Sequence, residues 1–330
     1  MFDDAERPIA LRGEPPALGV PPDHPVPLRG IDGRFPFTTE MAFEAGLSRH
    51  ALDQLVKTAQ IIRLFKGVHV TAGTRDTVDL RVSAVKLVVP ASAVVCDHTA
   101  AWLHGADLLP PTSNHGVPAI CIYSRKPGNR TRLPGVLSGE RTLLDKDVVD
   151  LGGLRVTSPL RTACDLGRIR DLPRALAHAD GMLGLGMFGH ADLIDAVEQY
   201  RGMRWVTHLR AVAALADARS QSPPESMLRY HWIAAGLPTP IPQHPVLDAL
   251  GREVFYLDLL DPVNGVAGEY DGKLFHGEDR KQHDEGRRTW IEANHPIRIT
   301  VFTDTDLFGP GADPVPKLRL AYVEKTRRVW

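Results

Sequence analysis

The chain has 330 residues, 43% hydrophobic and 24% charged, with a formal net charge of −1. That is the composition of a soluble globular protein of two or three domains, and it excludes a chain that is basic throughout, so any nucleic-acid surface has to be a local patch. Cys96, Cys121 and Cys164 are too far apart for a metal finger or a disulfide framework, and no apolar run reaches the roughly 18 residues of a membrane span. The acidic start, Met1 to Glu6, lacks the apolar stretch of a signal peptide, so a reducing cytoplasmic setting with no membrane is expected.

Residues 1–33 contain Pro15, Pro16, Pro21, Pro22, Pro25 and Pro27, which remove donors and block helix and sheet, and a disordered or loosely attached arm is expected there. Order begins near Phe35. Thr38 or Thr39 is placed to cap a short helix through Met41, Ala42 and Phe43, which Gly46 ends; Ser48 caps a second helix with Leu52, Leu55 and Val56 on one face. Residues 61–70 then read as two short strands about Lys66 and Gly67. Helix, glycine turn, helix and β-hairpin is the order of a winged helix-turn-helix, assigned to residues 34–75. A recognition helix puts its first turns into the major groove, with flanking cations on phosphates, which singles out Arg49, His50, Lys57, Arg63 and Lys66 as DNA-binding candidates. The same helix pattern also serves protein contacts.

Across residues 76–170 the pattern is mixed: a helix in Val78 to Val89, a helix capped by Asp97 and ended at Gly105, a strand from Ala119 to Tyr123, and a helix start at Ser158-Pro159. Residues 171–220 are rich in Ala and Leu and read as a helical connector. From Ser222 a helix carries Met227, Leu228, Trp232 and Ile233. Val254 to Leu260 is strand-like, Asn264-Gly265 marks a hairpin turn, and Val266 to Leu274 returns. A charged helix holds Glu285, Arg287 and Arg288, a strand covers Ile297 to Phe302, and Asp306 opens the last helical stretch.

Phosphodiester cleavage needs a cation held by converging hard oxygen ligands. Alternation along a strand puts Glu269, Asp271 and Lys273 on one face. A turn centred on residues 263 and 264 sets Asp258 opposite or nearly opposite Glu269, close enough to repel unless a cation or proton intervenes. An ordinary solvated hairpin face has the same pattern. Asp258 followed by Glu269-Tyr270-Asp271-Gly272-Lys273 resembles the PD-(D/E)XK nucleases, in particular their Vsr-like branch, as do Glu285-Gly286-Arg287-Arg288 and Arg298; Asn294-His295-Pro296 departs from the usual Gly-Trp. The resemblance covers roughly residues 222–310 and implies a restriction-endonuclease-like α/β domain over 221–330. It also implies Mg²⁺ or Mn²⁺ on Asp258, Glu269 and Asp271.

Two registers stay open. Either Glu269 is the second carboxylate and Asp271 replaces the usual lysine, or Asp271-Gly272-Lys273 is a literal D-x-K. Glu225 is either a further metal ligand from the first helix or the acid of a capping box with Ser222. Arg287 and Arg288 suit phosphate or a solvated face, while His276 and His283 read as surface residues or as groups that contact phosphate or transfer a proton.

Residues 35–170 resemble the AbiEi-type antitoxins of type IV toxin–antitoxin systems. The matching residues are Phe37-Thr38-Thr39, Ala45-Gly46-Leu47-Ser48, Ala100-Ala101-Trp102-Leu103-His104-Gly105 and Leu151-Gly152-Gly153-Leu154. The resemblance implies promoter binding and a nucleotidyltransferase toxin as partner, with His98 and His104 structural. The expected whole is an α+β multidomain DNA-binding protein with an endonuclease-like domain, in phage defence or toxin–antitoxin biology. The alternative is a non-catalytic DNA-binding regulator with a degenerate nuclease fold; a protein-interaction scaffold is a third.

Overall fold

A computed structural model describes residues 17–19, 30–108, 117–124, 134–272 and 278–327, with backbone alone for 278–283 and 326–327. Lys273, His276, the His283 side chain and the prolines of the N-terminal arm lie outside what is described. The chain folds as two compact units, Met1–Asp165 and Leu166–Trp330. Both mix helices with sheets, as an α+β chain should. The sequence reading set residues 171–220 apart as a connector, whereas here they belong with the C-terminal sheet.

In the first unit, β1 (Ala17–Leu18) pairs antiparallel with β5 (Thr74–Arg75), and Leu18 is buried. This corrects the expectation of disorder for those two residues of the arm: an apolar side chain at residue 18 finds a core. β2 (Phe37–Thr38) leads into α1 (Thr39–Glu44), then α2 (Arg49–Lys57) and the antiparallel pair β3 (Ile61–Phe65) and β4 (Val68–Thr71), in sheet order β2-β4-β3. The caps are those of the sequence. Thr38 accepts from the Met41 amide at 3.2 Å, and Ser48 from that of Ala51 at 3.1 Å. Gly46 (φ 92°) and Gly67 (φ 79°) take the left-handed turns that a side chain disfavours. Phe37, Ala42, Leu52 and Ile61 form the small core beneath the two helices.

α3 (Val78–Lys86), β6 (Val94–Val95), α4 (Asp97–Leu103), β7 (Ile120–Ser124), β8 (Val136–Glu140), β9 (Val148–Leu151), β10 (Leu154–Thr157) and α5 (Pro159–Gly167) follow, with sheet order β8-β7-β6-β10-β9. Asp97 is not the cap of α4. Cys96 holds that place, and Asp97 is the first helical residue with φ 51°. Its carboxylate accepts from the Tyr123 hydroxyl and faces Arg141 at 3.5 Å instead. Arg141 stacks over the Tyr123 ring and pairs with Asp165 at 2.6 Å, and Arg161 joins Asp165 to Asp147, so the charges of this sheet close on one another.

The second unit begins with α6 (Leu172–Leu183), α7 (His190–Ala196) and α8 (Val206–Leu215), then α9 (Pro223–Ala234). α6 and α9 share a fully buried ion pair, Arg229 Nη2 to Asp180 Oδ2 at 2.7 Å, and Asp180 Oδ1 also accepts from the Asp217 amide at 2.8 Å. β11 (Ile241–Leu247), β12 (Glu253–Asp261), β13 (Val266–Tyr270), α10 (Glu278–Asn294), β14 (Arg298–Phe302), α11 (Asp304–Leu307) and α12 (Val315–Arg327) complete it. The sheet runs β11-β12-β13-β14, antiparallel in its first two pairs and parallel in the last, with α10 as the crossover a parallel pair requires. Leu228 and Trp232 of α9, with Leu318 and Ala321 of α12, share one core cluster with Leu259, Val266 and Phe302. Ile291 of α10 shares the other with Leu257, Leu260, Ala267 and Ile299. The β12–β13 turn is the expected one: Gly265 has φ 62°, and Asp261 accepts from the amides of Val263 and Asn264.

Candidate carboxylate site and basic helix

β12 and β13 pair as Asp261↔Val266, Leu260↔Ala267 and Leu259↔Gly268, and the paired register stops short of Asp258 and Glu269. The side-chain alternation of β12 breaks at this point. Leu257 and Leu260 enter the same core cluster although three residues apart, while Leu259 enters the other. Across β11 the break meets Gln243, whose φ of 49° lies in the left-handed region. A residue with a Cβ stays there only where its surroundings hold it, and such positions gather at functional sites.

The break brings Asp258 towards α9. Gln243 Nε2 donates to Glu225 Oε2 at 2.9 Å and lies 3.5 Å from Asp258 Oδ1, so one side-chain amide bridges the two carboxylates. Asp258 Oδ2 accepts from the Tyr270 amide at 2.8 Å. Glu225 is buried and also accepts from the Ser222 hydroxyl (2.8 Å) and the Gln221 amide (3.1 Å), so it serves as the acid of the helix cap while facing the site. Removal from water and the neighbouring Glu225 charge push Asp258 up to about 7, with the Tyr270 amide opposing and Glu269 adding to the rise. Burial likewise raises Glu225, against the hydrogen bonds from Ser222, Gln221 and Gln243.

Glu269 meets cations. Arg287 Nη2 lies 2.8 Å from it and Arg288 Nε 3.1 Å, both from α10, and Arg288 Nη2 reaches Asp271 at 3.4 Å. β13 ends at Tyr270, so the expected strand through Leu274 stops short of Asp271, which Arg288 reaches from the residue that follows the strand. Glu269 Oε1 is buried and accepts no aligned hydrogen bond, although it lies 2.8 Å from Arg287 Nη2.

Glu225, Asp258 and Glu269 are carboxylates, the donor type a hard divalent cation prefers. The arrangement expected from the sequence is nevertheless not assembled. Among the described residues no group of three or more His, Cys, Asp or Glu is placed to hold a metal ion. Asp258, Glu269 and Asp271 fail as that set because arginines hold two of them.

The basic residues of the first unit are arranged more simply. Arg49, His50 and Lys57 on α2 and Arg63 and Lys66 on the β3–β4 pair are all exposed. Arg49, Asp53 and Lys57 fall four residues apart on one helical stripe, so an acid stands between the two cations. The Thr39 amide donates to Gly67 O at 2.9 Å, fixing the β3–β4 turn to the start of α1. Beneath this surface His69 is buried and stacks on Phe37. Desolvation and the Arg63 charge push it down to about 4, so it is neutral at physiological pH.

Residues 93–214 match the family described as the AbiEi antitoxin C-terminal domain. Two uncharacterized proteins of Mycobacterium tuberculosis, from strains CDC 1551 / Oshkosh and H37Rv, are each 30% identical to this chain over 231 residues, 70% of its length and 80% of theirs. The chain belongs to their family and carries an AbiEi antitoxin C-terminal domain. That domain begins later and ends later than the resemblance read over 35–170. It takes in α6, α7 and α8, and with α6 it takes in Asp180.

The sequence reading singled out Glu225, Asp258, Glu269 and Asp271; Gln243 bridges the first two, and arginines of α10 hold the last two. It missed Gln243, because β11 carries Pro242 and Pro245 and so does not read as a strand; prolines are tolerated on an edge strand such as this one. It named Arg287 and Arg288 for phosphate or solvent, and they face Glu269. No helix of the described residues is long and apolar enough to cross a membrane.

Proposed function

We propose that the chain is a DNA-binding protein of toxin–antitoxin type whose C-terminal unit is a PD-(D/E)XK-type nuclease domain. What supports the nuclease reading is the bridging of Glu225 and Asp258 by Gln243 where the alternation of β12 breaks, with Glu269 near enough to raise the Asp258 carboxyl, in a β11-β12-β13-β14 sheet with α10 as crossover. In this reading Asp258 and Glu269 hold a Mg²⁺ or Mn²⁺ ion with Glu225 beside them. The ion, when bound, activates water and stabilises charge on the phosphodiester. Gln243 orients Glu225 and Asp258, the Tyr270 amide fixes Asp258, and Arg287 and Arg288 present guanidinium groups to the phosphate. The antitoxin-type domain makes a cognate toxin a possible partner, and α1, α2 and the β3–β4 pair, as a winged helix-turn-helix, contact duplex DNA through Arg49, His50, Lys57, Arg63 and Lys66.

The test is cleavage of single- and double-stranded DNA with Mg²⁺ or Mn²⁺ by the full chain and by Asp258→Asn. Loss of cleavage by orders of magnitude in the variant, with DNA binding kept, is expected. Lys273→Met against Asp271→Asn separates the two registers, since Lys273 matters only if Asp271-Gly272-Lys273 is the literal motif. Wild-type protein that binds DNA and cuts none with either metal sinks the nuclease reading. A second reading, a non-catalytic DNA-binding regulator, is favoured by one observation: Glu269 and Asp271 are both held by arginines.

A further inference from the structure

A cavity of about 490 Å³ opens in the first unit, walled by Arg34 and Phe35 ahead of β2, by the end of β4 with β5, and by the first half of α3. Small-molecule sites commonly span roughly 300–1,000 Å³ and are built before the ligand arrives. These walls are built. Gly33 O accepts from both the amide and the hydroxyl of Thr71, at 2.9 and 2.8 Å. The Thr74 hydroxyl donates to Thr71 O at 2.8 Å, and the Gly73 amide to Leu18 O at 2.8 Å. Three lining groups have chemistry to spare. Phe35 is 66% exposed, although Phe37 two residues on is fully buried, so its ring is open to a flat partner. The Thr77 hydroxyl accepts from the Leu80 amide at 3.1 Å, which leaves its own proton for an acceptor. Arg34 gives Nε and Nη2 to Asp32 at 3.0 and 2.7 Å, and a guanidinium has five N–H donors. Arg75 adds a second guanidinium and Asp79 one carboxylate, so the lining side chains sum to one positive charge.

We propose that this cavity binds a small flat-ringed anion, with its ring on Phe35 and its phosphate or carboxylate on Arg34 and Arg75. An aromatic side chain stacks on any planar ring, and guanidinium forks match the oxygens of phosphate and carboxylate alike. The Thr77 hydroxyl adds a neutral donor for a ring or sugar oxygen. A nucleoside monophosphate and an aromatic carboxylic acid share this chemistry, and both suit a cavity of this size. Such binding requires neither DNA contact by α2 nor chemistry at Asp258. The site lies where the strands that follow α2 pass into α3, so its ligand touches both sides of that junction at once.

The test is isothermal titration calorimetry of the full chain with adenosine monophosphate, indole-3-carboxylate, adenosine and inorganic phosphate as separate probes. One of the two ringed anions should bind more tightly than adenosine or phosphate alone. Phe35→Ala should weaken that binding by about tenfold, the scale of one ring stacked on an aromatic side chain. Arg75→Met should weaken the ringed anion and leave adenosine unchanged. Both side chains are exposed, so neither change reaches the core. Ser83→Trp fills the cavity from an exposed position of α3 and should abolish binding. Adenosine monophosphate bound and indole-3-carboxylate not supports the site with a nucleotide as its ligand, and the reverse supports it with an aromatic acid. Wild-type protein that takes up neither ringed anion at millimolar concentration overturns the proposal. So does affinity for them no greater than for adenosine and phosphate alone, or affinity that Phe35→Ala, Arg75→Met and Ser83→Trp all leave unchanged.

Discussion

Residues 37–71 and the C-terminal sheet handle charge in opposite ways. Around α2 the cations stand on the surface, Arg49, His50, Lys57, Arg63 and Lys66 all exposed, above a core that holds one buried neutral histidine, His69. Around β12 and β13 the acids are inside, with Glu225 and Glu269 buried and Asp258 largely withdrawn from water, each with named partners. An exposed cation is desolvated only when a ligand arrives, so it adds to binding and hardly to folding. A buried charge needs its partners for the chain to fold at all, so there stability and chemistry cannot be separated. If the comparison is right, removing one partner of a buried ion pair should destabilise the second region, and removing an exposed cation should merely weaken binding at the first.

The largest effect is expected at Arg229→Met. It leaves Asp180 without its counter-charge in the core and strips a donor from Leu215 O, so urea unfolding should show a loss of about 3–5 kcal/mol. A loss within about 0.5 kcal/mol, the usual range for surface changes, would break the comparison at its strongest point.

Acidity sharpens the comparison, because the two regions should respond with opposite sign. Asp258 titrates near 7 when folded, above its ordinary value near 4, so the folded state holds its proton more tightly than the unfolded chain. That contribution to stability is full below about pH 4 and is lost as pH rises to about 7, an effect on the order of a few kcal/mol. Asp258→Asn should therefore gain stability relative to wild type as pH rises from 4 to 7. His69 is the reverse case: folded it titrates near 4, below its ordinary 6.5. Its contribution is present above about pH 6.5 and lost as pH falls towards 4. His69→Phe should flatten the acid limb of unfolding. Parallel pH profiles in these two variants would mean that one of the two buried groups is not what sets them.

Much of this was legible in the residues themselves. Caps and turns are local, so Thr38, Gly46, Ser48, Gly67, Ser222 and Asn264-Gly265 each did what their chemistry dictates. The β12–β13 pairing followed from the Asn264-Gly265 turn, although its register ends at Leu259 and Gly268, one residue before Asp258 and Glu269. The partners of the acids were not legible, because they are non-local: Gln243 comes from a proline-bearing edge strand, and Arg287 and Arg288 come from a helix one crossover away. Asp97 misled because an acid before an apolar run fits a cap, and its bonds to Tyr123 and Arg141 lie 26 and 44 residues away. The buried Asp180–Arg229 pair joins residues 49 apart, which no periodicity in either helix announces.

The smallest effect on folding, and the one that decides the other half of the comparison, belongs to Arg49→Ala with Lys57→Ala. Both side chains are exposed on one stripe of α2, and the helix is held from beneath by Leu52 and capped by Ser48, so neither residue carries the fold. The unfolding free energy should stay within about 0.5 kcal/mol of wild type, as surface substitutions usually do. If α2 lies against duplex DNA, each lost phosphate contact also removes a released counterion. The slope of log affinity against log salt should then become shallower by about 0.9 per contact. Affinity at low salt should fall while any preference among sequences persists, since phosphate contacts position the protein without reading bases. Asp53 between the two cations gives a third variant. Asp53→Asn should strengthen binding to any duplex without new specificity. A double variant that keeps both affinity and salt slope places the DNA surface elsewhere, and α2 is then a face for protein contacts.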